Sequence, residues 1–401
     1  MRAIVRVGRW CRVLAVLALC TMAPAWAQEL TAADYRADAL SIEPLINASY
    51  ADLDRFADGR VPISDALRAE ATAVHDRPSL TRDAERALLA LADFHAVTGS
   101  NLRDSWAAVP SYADLSLEWR NGAGEVTAVR AASPAERAGV RPGDRLLTIG
   151  GVPLRNATQA FWADLGLPLT DERAIFATQL LAAGRRDRPQ TLTFERAGAV
   201  ALPNLYQAEP TPGSGVLTTS LDTDALVIRL NNSLSATDTI AAFDAVITQA
   251  RPGQPIRIDL TDTPSGGNTA VARAIMGWFV ERPTAYQIHN LPQEKRDTGV
   301  ARQWVEQVLP RAGKHHDGPV EVRVGRWTGS MGEGLAIGFA ALGAEVCGDP
   351  MAGLRGAVHD MRLEHSGFVF TLPVERLSAI DGTPREAFVP PPCDKPQRLT
   401  R

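Results

Sequence analysis

The chain has 401 residues, of which 45% are hydrophobic and 22% charged, so it can bury more than one core and lacks the composition of a disordered polymer. Four arginines and no acid fall in the first 27 residues; beyond them 38 basic groups face 46 acidic ones, a net charge of -8. That balance argues against the clustered basic surface on which nucleic-acid binding depends.

Residues 1–27 read as an export leader. Arginines end at Arg12, an apolar run Val13–Leu19 follows, and Ala25-Trp26-Ala27 precedes Gln28 with small residues where a signal peptidase cuts. The apolar run is too short to span a bilayer. Lipidation at Cys20 is the alternative, but Leu19 stands where a small residue is required. Cleavage after Ala27 would give a periplasmic or secreted chain with no membrane span and two cysteines, Cys347 and Cys393. In an oxidising compartment they can pair as a disulfide or remain two buried thiols. Neither has a second ligand at zinc-like spacing, so no metal is expected.

From Leu30 to Ala107 apolar residues recur at threes and fours (Tyr35, Leu40, Ile46, Tyr50, Leu53, Phe56, then Ala84 to Phe94), broken at Pro62 and Pro78. A small helical domain over 28–110 is expected. From Tyr112 the period becomes two: Leu115, Leu117 and Trp119 alternate, Asn121-Gly122 turns, and Val126 and Val129 begin a second strand. Ser133-Pro134 caps a single helical turn closed by Gly139. A Pro142-Gly143-Asp144 turn and the strand Arg145–Ile149 before Gly150-Gly151 follow. This run resembles the PDZ signature of bacterial periplasmic proteases and implies a PDZ-like β domain over 111–205. The segment Ser111–Ser116 has no glycine, whereas such domains hold a C-terminal carboxylate with glycine-rich backbone there. Free peptide C-termini are therefore expected to bind weakly, and the module to gate the active site instead.

A Pro/Gly/Ser-rich linker, Glu209–Gly215, opens a last domain over 206–401. Strands at Ala225–Leu230, Ile256–Leu260 and Val320–Val324 alternate with helices at Ala236–Ala250, Thr269–Val280 and Gly332–Leu342. Such alternation predicts an α/β layered domain with its loops at the carboxyl ends of the strands, where active sites gather. Two of those loops are glycine-bearing. Asp259–Thr269 holds Gly266-Gly267, whose amides can converge on a phosphate, a carboxylate or the oxyanion of acyl transfer. A nucleotide-loop ending is missing, so no nucleotide cofactor is implied. In Arg326–Gly334, Ser330 stands at a helix start, where it is either a cap or a nucleophile favoured by free amides.

The succession of leader, helical region, PDZ signature, Asp259-Leu260-x-x-x-Pro264-x-Gly266-Gly267, Thr328-Gly329-Ser330-x-Gly332-Glu333, Gly348–Gly356 and Asp381–Pro391 resembles the C-terminal processing (tail-specific) serine peptidases over nearly the whole mature chain. The resemblance implies a crotonase-like catalytic domain and an acyl-enzyme on Ser330, with oxyanion donors at the Gly266-Gly267 loop and the Met331 amide. It implies no cofactor, and flexible or C-terminal segments of envelope proteins as substrate. The family's lysine base is replaced by Arg355, with His359 where a glutamine follows. Arginine keeps its proton, and Lys295, Lys314 and Lys395 lie in no matching motif. Seven histidines remain as candidates; His289 and five others have no distinguishing context, except that His359 follows the family's spacing. His95 resembles the catalytic histidine of the tricorn-type branch, and Glu386 the glutamate that assists it. The expected site is thus Ser330, His95 and Glu386, with His359 and Arg355 as secondary candidates. A catalytically silent, ligand-binding relative and a PDZ scaffold are the rival readings.

Overall fold

The computed structural model describes residues 29–120, 122–205 and 215–393; the expected leader and nearly all of the expected linker lie outside the described residues. Three helices come first: α1 (Ala32–Ser49), α2 (Asp65–Ala73) and α3 (Arg77–Leu89). Thr31, Ser64 and Asp76 each cap one, their side chains accepting an N–H of the first turn. Ile42, Ile46, Leu80 and Leu88 turn inward at helical spacing and are almost wholly buried. Each such side chain contributes roughly 1.5–3 kcal/mol relative to exposure. The short strand β1 (Val97–Thr98) follows.

A six-stranded antiparallel sheet follows, built of β2 (Leu115–Arg120), β3 (Ala123–Val129), β4 (Arg145–Ile149), β5 (Val152–Pro153), β6 (Gln190–Phe194) and β7 (Gly198–Leu202). The order is β2-β3-β4-β6-β7, with β5 paired to β4. The single turn α4 (Pro134–Arg137) carries the Ser133 cap. Helices α5 (Leu154–Asp164) and α6 (Asp171–Ala183) lie between β5 and β6. Their Trp162, Phe176 and Leu180 join the core of the first three helices, which also receives Phe368, Phe370 and Leu372 from near the end of the chain. The helical region therefore shares one continuous core with its neighbours.

The last region contains two sheets. One runs β14-β13-β10-β9-β8, made from β8 (Leu217–Asp222), β9 (Ala225–Leu230), β10 (Ile256–Asp259), β13 (Val320–Val324) and β14 (Glu345–Gly348). Strands β9, β10, β13 and β14 pair in parallel. Helices α7 (Asp238–Ile247), α8 (Thr269–Met276) and α10 (Met331–Ala341) cross between them. The other sheet runs β1-β16-β11-β12, from β11 (Thr284–Leu291), β12 (Arg302–Val308) and β16 (Val369–Ser378), with β15 (Ala357–Arg362) added on β16. Helix α9 (Pro292–Thr298) joins β11 to β12. Buried on nearly every side, α10 reads as an apolar and small-residue run interrupted only by Glu333. A disulfide joins Cys347, at the end of β14, to Cys393. Among the described residues no helix is long and apolar enough to cross a membrane.

Candidate active site

Ser330 sits between β13 and α10 with φ 49° and ψ -109°, a conformation in which a non-glycine residue is strained. The turn is held from both sides. Thr328 Oγ1 donates to Leu260 O (2.8 Å), Gly329 N–H to Thr263 O (3.0 Å), and Glu333 Oε2 accepts the Ser330 N–H (2.8 Å). The strain aims Oγ out of the turn, where it meets His95 Nε2 at 3.1 Å. The opposite ring nitrogen, Nδ1, lies 2.6 Å from the main-chain oxygen of Arg355. A carbonyl can only accept, so Nδ1 carries the proton and Nε2 presents its lone pair to the Ser330 hydroxyl.

The ring's position is built from far along the chain. After α3 the chain turns at Ala92 (φ 47°), and Asp93 Oδ1 accepts the His95 N–H at 2.9 Å. Asp93 is fixed in turn by the Tyr50 hydroxyl at 2.6 Å, which accepts from Arg55 at 2.7 Å. Arg355 lies in the loop between β14 and β15. Gly356 (φ 54°) turns that loop hard against Glu375 O, where any Cβ would collide. Arg385, fully buried, donates to Leu354 O and Gly356 O at 2.8 Å each and fixes the loop from below. Burial, and secondarily the Arg385 guanidinium, pull the His95 pKa down to about 4, against the Arg355 and Gly356 backbone. At neutral pH the imidazole is uncharged and free to accept a proton.

Opposite the hydroxyl lies the first glycine loop. A Cβ on Gly266 would collide with Ser330 Oγ and Cβ and stand 2.7 Å from Met331 N, so the missing side chain leaves open the space beside both. Met331 N–H belongs to the first turn of α10 and has no intrahelical carbonyl. Gly267 packs its backbone on Ser235, 2.5 Å from where a Cβ would be. Asn232 Oδ1 holds the loop by accepting Ser265 N–H at 2.7 Å, and Ser111 Oγ donates to Pro264 O at 2.7 Å.

Glu386 requires a correction as the carboxylate supporting His95. Both ring nitrogens are taken by Ser330 Oγ and Arg355 O, and Glu386 instead faces the Arg355 guanidinium at 3.7 Å. It can act on His95 only at one remove, through the Arg355 or the Arg385 guanidinium. His359 lies on β15 with about half its side chain exposed, bonded to Glu375 at 2.9 Å, and not to Ser330. Glu375 also accepts from His289 Nδ1 at 2.7 Å, while Glu306 lies 3.1 Å from His289 Nε2. Among the described residues no cluster of three or more acidic, histidine or cysteine side chains is placed to hold a metal. Two features of the site escape residue-type reasoning: a main-chain oxygen that orients the histidine, and buried Glu333. The second has a signal, the Ser330-x-x-Glu333 spacing of a capping box. Burial pushes Glu333 up to about 7 against Arg385 and the N–H groups of Ser330, Gly353 and Leu354.

A PDZ-domain model matches residues 125–161. Mature CPAF is similar in structure at TM-score 0.55 and 14% identity, over 90% of this chain and 92% of that one. The photosystem II D1 C-terminal processing protease matches at TM-score 0.52 and 15% identity, over 89% and 92%. The chain has the fold of these proteases. Its α/β architecture carries a PDZ domain in the middle, as the resemblance implies. No curated protein matches the chain in sequence.

Proposed function

We propose that the chain is an exported serine endopeptidase that cuts peptide bonds in flexible protein segments through an acyl-enzyme on Ser330. The observation that carries this reading is the 3.1 Å approach of His95 Nε2 to a serine oxygen held in a strained turn, with the opposite nitrogen pinned by a carbonyl. His95 takes the hydroxyl proton as Oγ attacks the substrate carbonyl, then returns it to the leaving amine. The Arg355 oxygen keeps the ring in the right tautomer and faces the proton of the imidazolium that forms. The Met331 amide and the Gly266-Gly267 backbone receive the negative oxygen. The pair needs no lysine, so Arg355 in the lysine's place is compatible with hydrolysis.

The 27-residue leader supports export, and soluble mature protein beginning at Gln28 is the expected product. Flexible segments of envelope proteins are the expected substrates. A fluorophosphonate probe tests the chemistry: labelling that vanishes in both Ser330→Ala and His95→Ala is expected. Absence of labelling across a wide pH range in the unaltered chain would move the protein to the ligand-binding reading.

A further inference from the structure

PDZ domains recognise a partner by strand addition: an extended peptide pairs with an exposed sheet edge through main-chain hydrogen bonds. In this chain β2 is such an edge, paired on one side only, with β3. Its other side is already occupied. The side-chain amide of Gln179, on α6, accepts from Leu117 N–H at 2.9 Å and donates to Leu115 O at 2.8 Å. One acceptor for the N–H of residue i+2 and one donor for the C=O of residue i are what the C=O and N–H of a single residue in a parallel added strand would offer. Gln179 is buried, and Ala182 of the same helix lies in one apolar cluster with Leu115 and Leu117.

Helix α6, like the β2 edge itself, lies outside residues 125–161, which match the PDZ model. The other face of α6 belongs to the first core. Phe176, Leu180 and Leu181 pack among the N-terminal helices, and the Phe176 ring stacks at 4.4 Å on Phe94, the residue before His95. At its near end β2 is tied to the glycine loops: Trp327 Nε1 donates to Ala113 O at 2.6 Å, Ser111 to Pro264 O, and Arg130 pairs with Asp262.

We propose that α6 is the PDZ domain's built-in ligand, filling the β2 edge in place of a peptide strand and so bracing the His95 loop without any bound chain end. The domain then neither captures C-termini nor waits for them. Building on the peptidase reading, this makes internal segments, rather than free tails, the substrate class.

Two measurements on the full mature chain test the occupancy, with Ser330→Ala used so that peptides survive. A ten-residue peptide with a free C-terminus and its amidated twin should show no saturable binding and leave amide exchange over 115–120 unchanged. Gln179→Ala should speed exchange at Leu117 by about tenfold or more, as the amide loses its partner. Saturable binding of the free acid that slows exchange across β2 would overturn the proposal, as would unchanged Leu117 exchange in Gln179→Ala. If that variant does not fold, the titration of the otherwise unaltered chain decides. In the Ser330-containing protein, fluorophosphonate labelling should proceed at the same rate with and without the free-acid peptide, and acceleration by it also overturns the proposal. No labelling at all defeats the peptidase reading alone, and leaves binding and exchange to settle the occupancy.

Discussion

His95 and His289 are both withdrawn from solvent, and each holds a partner on both ring nitrogens, yet they are driven to opposite protonation states. His95 lies between a hydroxyl and a carbonyl, with buried Arg385 nearby, and its pKa falls to about 4. His289 lies between the carboxylates of Glu306 and Glu375, stacked on Trp304 at 4.9 Å, and its pKa rises to about 9 in spite of burial. Burial disfavours the cation in both; the charge of the partners decides the outcome. One ring is thereby left as a neutral acceptor beside a serine, and the other is a cation at neutral pH inside a structural ion cluster.

The largest expected effect separates the two in function. His95→Ala should slow fluorophosphonate labelling by roughly ten-thousand- to million-fold, about 5–8 kcal/mol of transition-state stabilisation, because the serine loses its base. His289→Ala should label at the unaltered rate in its folded fraction. Equal losses in the two variants would erase the distinction.

The second effect reverses the roles. Removing the His289 cation leaves Glu306 and Glu375 facing each other, with Arg273 and Tyr286 beside Glu306 and His359 beside Glu375. Breaking a buried pair in this way typically costs about 3–5 kcal/mol. A loss near the lower figure is expected for His289→Ala in urea unfolding, and much less for His95→Ala, whose partners are a hydroxyl and a carbonyl. An unchanged urea midpoint in His289→Ala would show that the cluster is not a stabilising one.

This contrast also marks what a sequence can carry. Alternation at Leu115–Trp119, the capped turn at Ser133 and the strand–glycine loop–helix units around Gly266 and Ser330 are local patterns, and each produces the expected element. The pairing of His95 with Ser330 spans 235 positions, and it was reached only through family resemblance. Glu386 comes from the same resemblance and faces Arg355, while the group that orients His95 is a main-chain oxygen, which has no residue type to read. His289 had no motif because its two carboxylates come from other strands, β12 and β16. Helix α6 carries no amphipathic period because its residues are buried on nearly all sides.

Glu333 extends the comparison to carboxylates and has the third effect. It rises to about 7 through burial, while Glu306, flanked by His289, Tyr286 and Arg273, falls to about 2. Glu333→Gln would turn an N–H₂ toward backbone N–H groups of Ser330 or of Gly353 and Leu354. A loss of about 1–3 kcal/mol is expected from the unsatisfied donors, together with slower labelling as the Ser330 turn loosens. Unaltered stability and labelling would assign Glu333 no part in holding the turn.

The smallest expected effect is a near-absence of change, and it tests His95 most directly. A histidine of ordinary pKa, about 6.5, would be neutral in roughly 3% of molecules at pH 5, whereas one at about 4 is neutral in roughly 90%. Glu333, at about 7, stays mostly protonated below pH 6, so it does not titrate in that window. Labelling should therefore stay level from pH 6 to 5 and halve near pH 4. Stability follows the opposite histidine on the alkaline side. His289 has a folded pKa above its unfolded value, so its contribution is complete below about 6.5 and fades as pH rises through about 9. Glu306 is shifted downward, so its contribution is complete above about 4.5 and fades as pH falls through about 2. Unfolding midpoints of the native chain minus those of His289→Ala, measured from pH 4 to 10, should be greatest between about 4.5 and 6.5 and shrink toward pH 9. A labelling rate that falls about eightfold between pH 6 and 5, the drop set by a pKa of about 6.5, would show that His95 titrates as an ordinary histidine, and that its pinning between Ser330 and Arg355 does not hold in solution.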